Sequence, residues 1–262
     1  MTIYKYIILS IIQGITEPLP ISSSGHIKIL ETIFNNSFIQ DLDFEIIVNF
    51  GSLIAILFLY RKKIYEITID FFRYIKNKDY KYKTNYDYVI KIIIGTIPVL
   101  IFGLFIKDIL EKYSNIKIIG ISLVITSFFL YIIKDKIGYK DKEKITYLDA
   151  LKIGFYQVFA LIPGISRSGS TITGSLINNL TRETALDYSF MLYIPVSIGS
   201  TIIGIKDINI SNLLWPYSIY ILISSIVTYY SAKLFIDIMK KGKLIYFVIY
   251  CLVTGLLVFF LL

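Results

Sequence analysis

Long runs of apolar residues dominate the chain, and the polar residues are confined to the short stretches between them. A helix needs about 20 predominantly apolar residues to cross the hydrocarbon layer of a bilayer. The longest runs are continuously apolar and do not alternate with polar residues, as the strands of a membrane barrel do. We therefore predict six transmembrane helices, over residues 43–60, 88–106, 116–134, 185–205, 214–236 and 244–262.

Two other apolar segments, residues 3–34 and 147–181, are each interrupted by a cluster of proline, serine and glycine. Neither half of either segment is long enough to span a bilayer. Polar backbone at membrane depth is tolerated only where it is buried in protein or lines a cavity. We therefore predict that both segments are re-entrant helical hairpins within an all-α polytopic membrane protein.

An internal repeat relates the two halves of the chain. The aligned positions are residues 21–25 with 165–169, Gln13 with Gln157, and Asp43 with Asp187. Each half then holds one hairpin followed by three spans, and because three is odd the second half is inserted upside down. This predicts a single membrane domain, residues 1–262, made of two inverted repeats over about 1–134 and 147–262, with the hairpin tips meeting near the midplane. A chance match between short serine and glycine strings is the alternative.

Composition supports a membrane protein and argues against a nucleic-acid partner. Apolar residues make up 55% of the chain, and the mean hydropathy is +0.67. The net charge of +8 comes from Lys and Arg in short connections beside apolar runs, where such residues set membrane orientation. Most of them fall in residues 61–87, 134–146 and 237–243, which we place on the cytoplasmic side, with both chain termini outside.

The break in the first hairpin concentrates candidate chemistry. Gln13 and Glu17 are four residues apart and so share one face of a helix. An ionisable residue at membrane depth is costly, so we interpret Glu17 as functional. The alternative is a structural ion pair between Glu17 and Lys28. His26 is the only histidine, and histidine can act as nucleophile or general acid toward phosphorus. The hydroxyls in the same break belong to Ser22, Ser23 and Ser24.

The break in the second hairpin has the features of an anion clamp. Arg167 is the only Lys or Arg between Lys152 and Arg182, and its planar guanidinium suits two phosphate oxygens at once. Neighbouring glycines let backbone N–H groups approach an anion at the start of a helix. The alternative is an Arg that extends to the membrane interface. Further hydroxyl donors are on Ser166, Ser168 and Thr171. Together, the two breaks suit phosphoryl transfer.

At these residues the sequence resembles the undecaprenyl-diphosphate phosphatase family, the integral membrane type also known for bacitracin resistance. The first family motif is matched by Gln13, Glu17, Pro20, Ser22, Ser23, Gly25 and His26. The second motif is matched by Pro163, Gly164, Ser166, Arg167, Ser168 and Thr171. The resemblance extends over nearly the whole chain.

This resemblance implies an enzyme of the bacterial inner membrane that removes the terminal phosphate from a C55 polyprenyl diphosphate lipid, with a site toward the outer face. The recovered carrier lipid serves cell-wall synthesis. We expect Arg167 and the hydroxyls to hold the diphosphate, with Gln13 beside them. Ser23 or His26 would be nucleophile or acid, and Glu17 would be the base or a ligand. The family also implies a divalent cation, Mg²⁺ or Ca²⁺, and we expect Glu17 and Gln13 to be its ligands.

Two other functions remain open from the sequence. Inverted repeats with broken helices are typical of transporters, so the chain could carry a polyprenyl phosphate across the membrane instead of hydrolysing its precursor. It could also be a structural partner whose polar residues do no chemistry. The expected partners are membrane lipids and, as one alternative, a second copy of the chain in a homodimer.

Overall fold

In the computed structural model, the chain is described over residues 3–34, 42–112, 115–204 and 214–262. These residues form helices joined by turns, and their only extended pairing is an isolated bridge between Lys140 and Leu180. The helices are α1 Ile3–Thr16, α2 Ser23–Ile33, α3 Leu42–Leu59, α4 Arg61–Asn77, α5 Lys83–Lys112, α6 Ile116–Ile133, α7 Tyr147–Val158, α8 Arg167–Ile177, α9 Arg182–Gly204, α10 Leu214–Lys240 and α11 Ile245–Leu261.

Four described helices are long and apolar enough to cross a membrane. They are Tyr80–Ile106, Ile116–Ile133, Arg182–Gly204 and Tyr217–Lys240. A fifth span is formed if the bent pair α3 and α4 counts as one crossing, and α11 is apolar but only 17 residues long. The prediction of an all-α membrane protein is confirmed. The exact count of six spans stays a prediction.

The two interrupted segments each fold as a pair of short helices joined by a turn. In the first, α1 and α2 have 14 and 11 residues, and in the second, α7 and α8 have 12 and 11. None of these helices reaches the length of about 20 residues that a single crossing needs. Within each pair the two helices pack against one another, as a hairpin requires.

Residues 61–87 differ from the polar connection that the sequence predicts. They contain α4, which bends by 75° from α3 at Tyr60, and the first turn of α5. The reason is that apolar residues recur here at helical spacing among the Lys and Arg, so an amphipathic helix is favoured over a loop. The side chain of Asp43, which the predicted repeat aligns with Asp187, lies outside the described part of the chain.

Small residues bring the long helices close together. α1 packs against α10 and α7 against α5, while α6 packs along α11. At the last contact Gly120 and Gly255 oppose each other, so that a Cβ on Gly255 would lie 2.7 Å from the Gly120 carbonyl oxygen. Such contacts between small residues let helix backbones approach in a membrane.

We expect Gly255→Ala to lower thermal stability, by about 1–3 kcal/mol, because the new methyl group meets backbone that cannot rotate away. The matched control is Gly199→Ala, where the added Cβ would be 3.8 Å from its nearest neighbour, Leu100. Both changes raise helix propensity equally. Thermal unfolding of the purified variants in detergent measures the difference. Equal midpoints for the two variants would contradict the close contact of α6 with α11.

Candidate active site

The first half of the site is the turn between α1 and α2, where Glu17 follows the last residue of α1. Its carboxylate accepts two hydrogen bonds at Oε2, one from Gln13 Nε2 at 3.0 Å and a very short one from the Ser23 hydroxyl. Ser22 caps α2 by accepting from the Gly25 N–H, with its own backbone held at φ +69°. A positive φ is costly for serine, and such strain clusters at functional sites.

The second half of the site is the turn between α7 and α8. Gly164 adopts φ +91°, and a Cβ there would lie 2.8 Å from Ser122 Cβ, so this turn requires glycine. Ser166 caps α8 by accepting from the Gly169 N–H at 3.1 Å, and its own N–H donates to Thr126 Oγ1. The caps of α2 and α8 therefore fall on serines that the repeat aligns, and α8 begins at the arginine of the motif.

The tips of the two hairpins meet through an ion pair and a hydrogen bond. Arg167 Nη2 donates to Glu17 Oε1 at 2.5 Å, and the two side chains are only 18% and 11% exposed. Ser168 Oγ donates to the carbonyl oxygen of Leu19 at 2.9 Å. A Cβ on Gly25 would lie 3.3 Å from the Cα of the glycine in the second turn. The two polar breaks therefore form a single site.

Each tip lacks the charge that the other supplies. The position that aligns with Ser23 is Arg167, and the position that aligns with Glu17 is Leu161. The alternative partner for Glu17, Lys28, instead pairs with Glu31 one turn along α2, at 3.0 Å. Since the carboxylate comes from one half of the chain and the guanidinium from the other, neither hairpin can build this site alone.

His26 lies at the edge of this cluster and does not bond to the ion pair. Its Nδ1 is 2.7 Å from the Ser22 carbonyl oxygen, and its Nε2 is 2.6 Å from the Tyr250 hydroxyl. A carbonyl can only accept, so Nδ1 carries the proton, and Nε2 of the neutral ring accepts from the tyrosine. The His26 and Tyr250 rings also stack, with centroids 5.6 Å apart.

The other predicted hydroxyls are satisfied within the protein. Ser24 and Ser22 have their hydroxyl oxygens 3.5 Å apart, and Ser166 and Ser168 repeat this arrangement at 3.2 Å. Thr171 turns toward α9, where its hydroxyl lies 2.6 Å from that of Ser189. A bound anion would therefore have to exchange with these internal hydrogen bonds.

Tyr193, Asn49 and Tyr250 complete the site, although no pattern in the sequence distinguishes them. The ring of Tyr193 lies under the Arg167 guanidinium at 3.8 Å, and its hydroxyl donates to Asn49 Oδ1 at 2.9 Å. Tyr250 holds His26 from α11. With 22 tyrosines in the chain, only the fold distinguishes these two from the rest.

The oxygen atoms around Glu17 are of the kind that Mg²⁺ and Ca²⁺ prefer. Gln13 Oε1 is buried and has no hydrogen-bond partner among the described residues, so it is available as a ligand. No cluster of three or more His, Cys, Asp or Glu side chains that could hold a metal occurs in the described part of the chain. Glu17 and Gln13 would therefore supply only part of the coordination of such a cation.

The fold and the site define a helical integral membrane protein with an anion clamp and a carboxylate where two hairpins meet. Residues 6–257 match the family model of the bacitracin resistance protein BacA, and the chain belongs to this family. It is 41% identical to undecaprenyl-diphosphatase 1 of Bacillus licheniformis, over 98% of this chain and 97% of that protein. It is 38% identical to undecaprenyl-diphosphatase of Oceanobacillus iheyensis, over 98% of this chain and 96% of that protein.

We expect Arg167→Ala to destabilise the protein by about 3 kcal/mol, because it leaves the Glu17 carboxylate buried without its positive partner. Adding Glu17→Gln should recover part of that loss, since the remaining group is neutral. Lys28→Ala, which removes a partly exposed pair, is the control and should cost less than about 1 kcal/mol. Unfolding midpoints of the single and double variants measure the coupling. Additive losses would contradict a buried ion pair.

Proposed function

We propose that this protein hydrolyses undecaprenyl diphosphate to undecaprenyl phosphate and inorganic phosphate. The observation that carries this proposal is that Glu17 pairs with Arg167 through one carboxylate oxygen and accepts from Ser23 at the other, which brings a guanidinium and a carboxylate-bonded hydroxyl to one group. The names of the curated relatives state the same activity for those proteins. The product is the carrier lipid of cell-wall synthesis, and the name of the family connects it with bacitracin resistance.

Arg167 would bind the diphosphate while it remains stacked on Tyr193. A guanidinium has five N–H donors in a fixed fork, so the contact with Glu17 leaves others for phosphate oxygens. The N-terminus of α8 lies at the same place and favours negative charge. These donors would stabilise the charge that builds up on the phosphoryl oxygens as the terminal phosphorus is attacked.

Ser23 is the group that we propose as the nucleophile. Its hydroxyl already donates to Glu17, so the carboxylate can accept the proton as the oxygen attacks the terminal phosphorus. The bond from that phosphorus to the bridging oxygen breaks, and undecaprenyl phosphate leaves. Water then attacks the phosphoserine and releases inorganic phosphate. His26, with Nε2 bonded to Tyr250, is a base or acid at the edge of the site in this scheme.

We also propose that a divalent cation, Mg²⁺ or Ca²⁺, assists this reaction. Glu17 and Gln13 Oε1 would hold it, and oxygens of the diphosphate would complete its coordination. When bound, such a cation neutralises charge on the phosphate groups.

The proposed topology is six spans and two re-entrant hairpins in two inverted repeats, in the bacterial inner membrane. α1, in the first half of the chain, packs on α10 in the second half, and α7, in the second half, packs on α5 in the first. This reciprocal packing supports the repeat. The Lys-rich residues 134–146, which follow α6, favour a cytoplasmic end for that helix. The second tip contacts Ile119 and Ser122 near the opposite end of α6, which supports a site toward the outer face.

The first experiment measures phosphate release from a C55 diphosphate by the purified protein in detergent. We expect release by the wild type, loss of at least about 100-fold in Arg167→Ala, and loss on adding EDTA that Mg²⁺ or Ca²⁺ reverses. A lipid carrier breaks no bond in the diphosphate and so releases no inorganic phosphate in detergent. Its transport would be seen only between two compartments. No release by folded wild type supplied with the cation would therefore overturn the phosphatase and favour the carrier. The destabilised variant is compared only under conditions where it remains folded.

A second experiment tests whether Tyr250 acts through His26. We expect Tyr250→Phe, which keeps the stacked ring but removes the hydroxyl, to lower kcat by about tenfold with little change in KM. In a His26→Ala background, the same substitution should have no further effect, because residues that act as a unit are non-additive. Losses that multiply in the double variant would mean that the tyrosine hydroxyl acts independently of the histidine.

A further inference from the structure

Helix α4 differs from the membrane-spanning helices in both direction and composition. It makes an angle of 75° with α3, so if α3 crosses the bilayer, α4 lies close to the membrane plane. Its 17 residues mix apolar and charged side chains, and of those whose burial is described only Ile67 is fully buried. A helix of this kind at a membrane boundary lies in the interface rather than across the bilayer.

One apolar side of α4 is used by the protein fold. Phe71 and Tyr74 contact the ring of Tyr86 near the start of α5, with ring centroids 5.2 and 4.7 Å apart. Ile67, between them and the start of the helix, is 6% exposed. This side attaches α4 to α5 and fixes the orientation of the rest of the helix.

A second apolar stripe on α4 is not covered by any part of the chain that the structure describes. Tyr65, Phe72 and Ile75 are 69%, 63% and 46% exposed, and their spacing places them along one side of the helix. Phe58, three residues before α4 begins, is also exposed, at 54%. If α3 crosses the bilayer, the stripe therefore begins close to a surface that faces lipid.

The charges of α4 are sorted around this stripe. Lys62 and Lys76 fall next to it on the helical circumference, and both are exposed with no ion-pair partner among the described residues. The acidic residues point elsewhere: Asp70 and Glu66 accept from Asn85 Nδ2, at 2.6 and 3.4 Å. The side of α4 next to the apolar stripe is therefore positively charged.

We propose that α4 is an interfacial helix that binds anionic phospholipids of the leaflet on its side of the membrane. Tyr65, Phe72 and Ile75 would lie at the boundary between headgroups and acyl chains, and Lys62 and Lys76 would contact headgroup phosphates. A stable protein interface buries roughly 800 Å² of surface on each partner, and three side chains expose much less area than that. This favours lipid over a second copy of the chain. The proposal is independent of the hydrolytic reaction.

The depth of α4 is tested with a single tryptophan. In a Trp215→Phe background, which removes the only native tryptophan, Phe72→Trp is compared with Asn77→Trp on the polar side of the helix. In nanodiscs with brominated acyl chains, we expect strong quenching at position 72 and at least about threefold less at 77. Tyr65→Trp measures quenching at a second position of the apolar stripe. Weak quenching at both 65 and 72 would overturn the proposal, and protection of these positions from acrylamide as well would indicate a second copy.

The preference for anionic lipid is tested by charge removal. The double variant Lys62→Gln and Lys76→Gln is compared with Lys136→Gln and Lys144→Gln, which removes the same charge elsewhere on the described surface. Spin-labelled phosphatidylglycerol and phosphatidylcholine report how strongly each lipid associates with the protein. We expect the α4 variant to lose at least about threefold of the selectivity for phosphatidylglycerol, and the control much less. Equal losses would mean that overall charge, not α4, selects the lipid.

Discussion

The ion pair between Arg167 and Glu17 is the contact on which the rest of the site depends. Neither charge could stay buried in this site without the other, because an unpaired ion is costly in a medium of low polarity. The pair joins the two hairpin tips and holds the carboxylate next to Ser23. The same guanidinium is the group best suited to a diphosphate. In the proposed reaction, substrate binding and the closure of the two tips would therefore use one residue.

Backbone geometry is what allows the two tips to come this close. Gly164 supplies a turn with φ +91° against α6, and Gly25 lets the first tip approach the second. The two aligned serine caps begin α2 and α8 at the point of contact, so both helix N-termini face the region where a phosphate would bind. These two glycines and the two cap serines therefore have structural reasons that are separate from catalysis.

The sequence predicts those features that depend on local composition. Run length identified the apolar helices, and the proline and glycine breaks identified the paired short helices. The polar types in those breaks predicted that Glu17, Ser23 and Arg167 belong to one site. Tyr193 and Tyr250 could not be predicted, because only the folded arrangement of helices brings Tyr193 on α9 to Arg167 and Tyr250 to His26, which is 224 residues away. The bend at Tyr60 was missed because the Lys and Arg after it read as a polar connection.

Paired short helices whose breaks meet suit a lipid diphosphate for a physical reason. The long prenyl chain keeps the diphosphate at the membrane, so the enzyme must bring polar groups to the substrate inside the bilayer. Hairpins whose backbone breaks are buried against each other do this without exposing unsatisfied groups to lipid. Because Arg167 and Glu17 close the contact between the tips, a polar path through the protein would require this pair to separate. The arrangement therefore favours chemistry at a closed contact over passage through it.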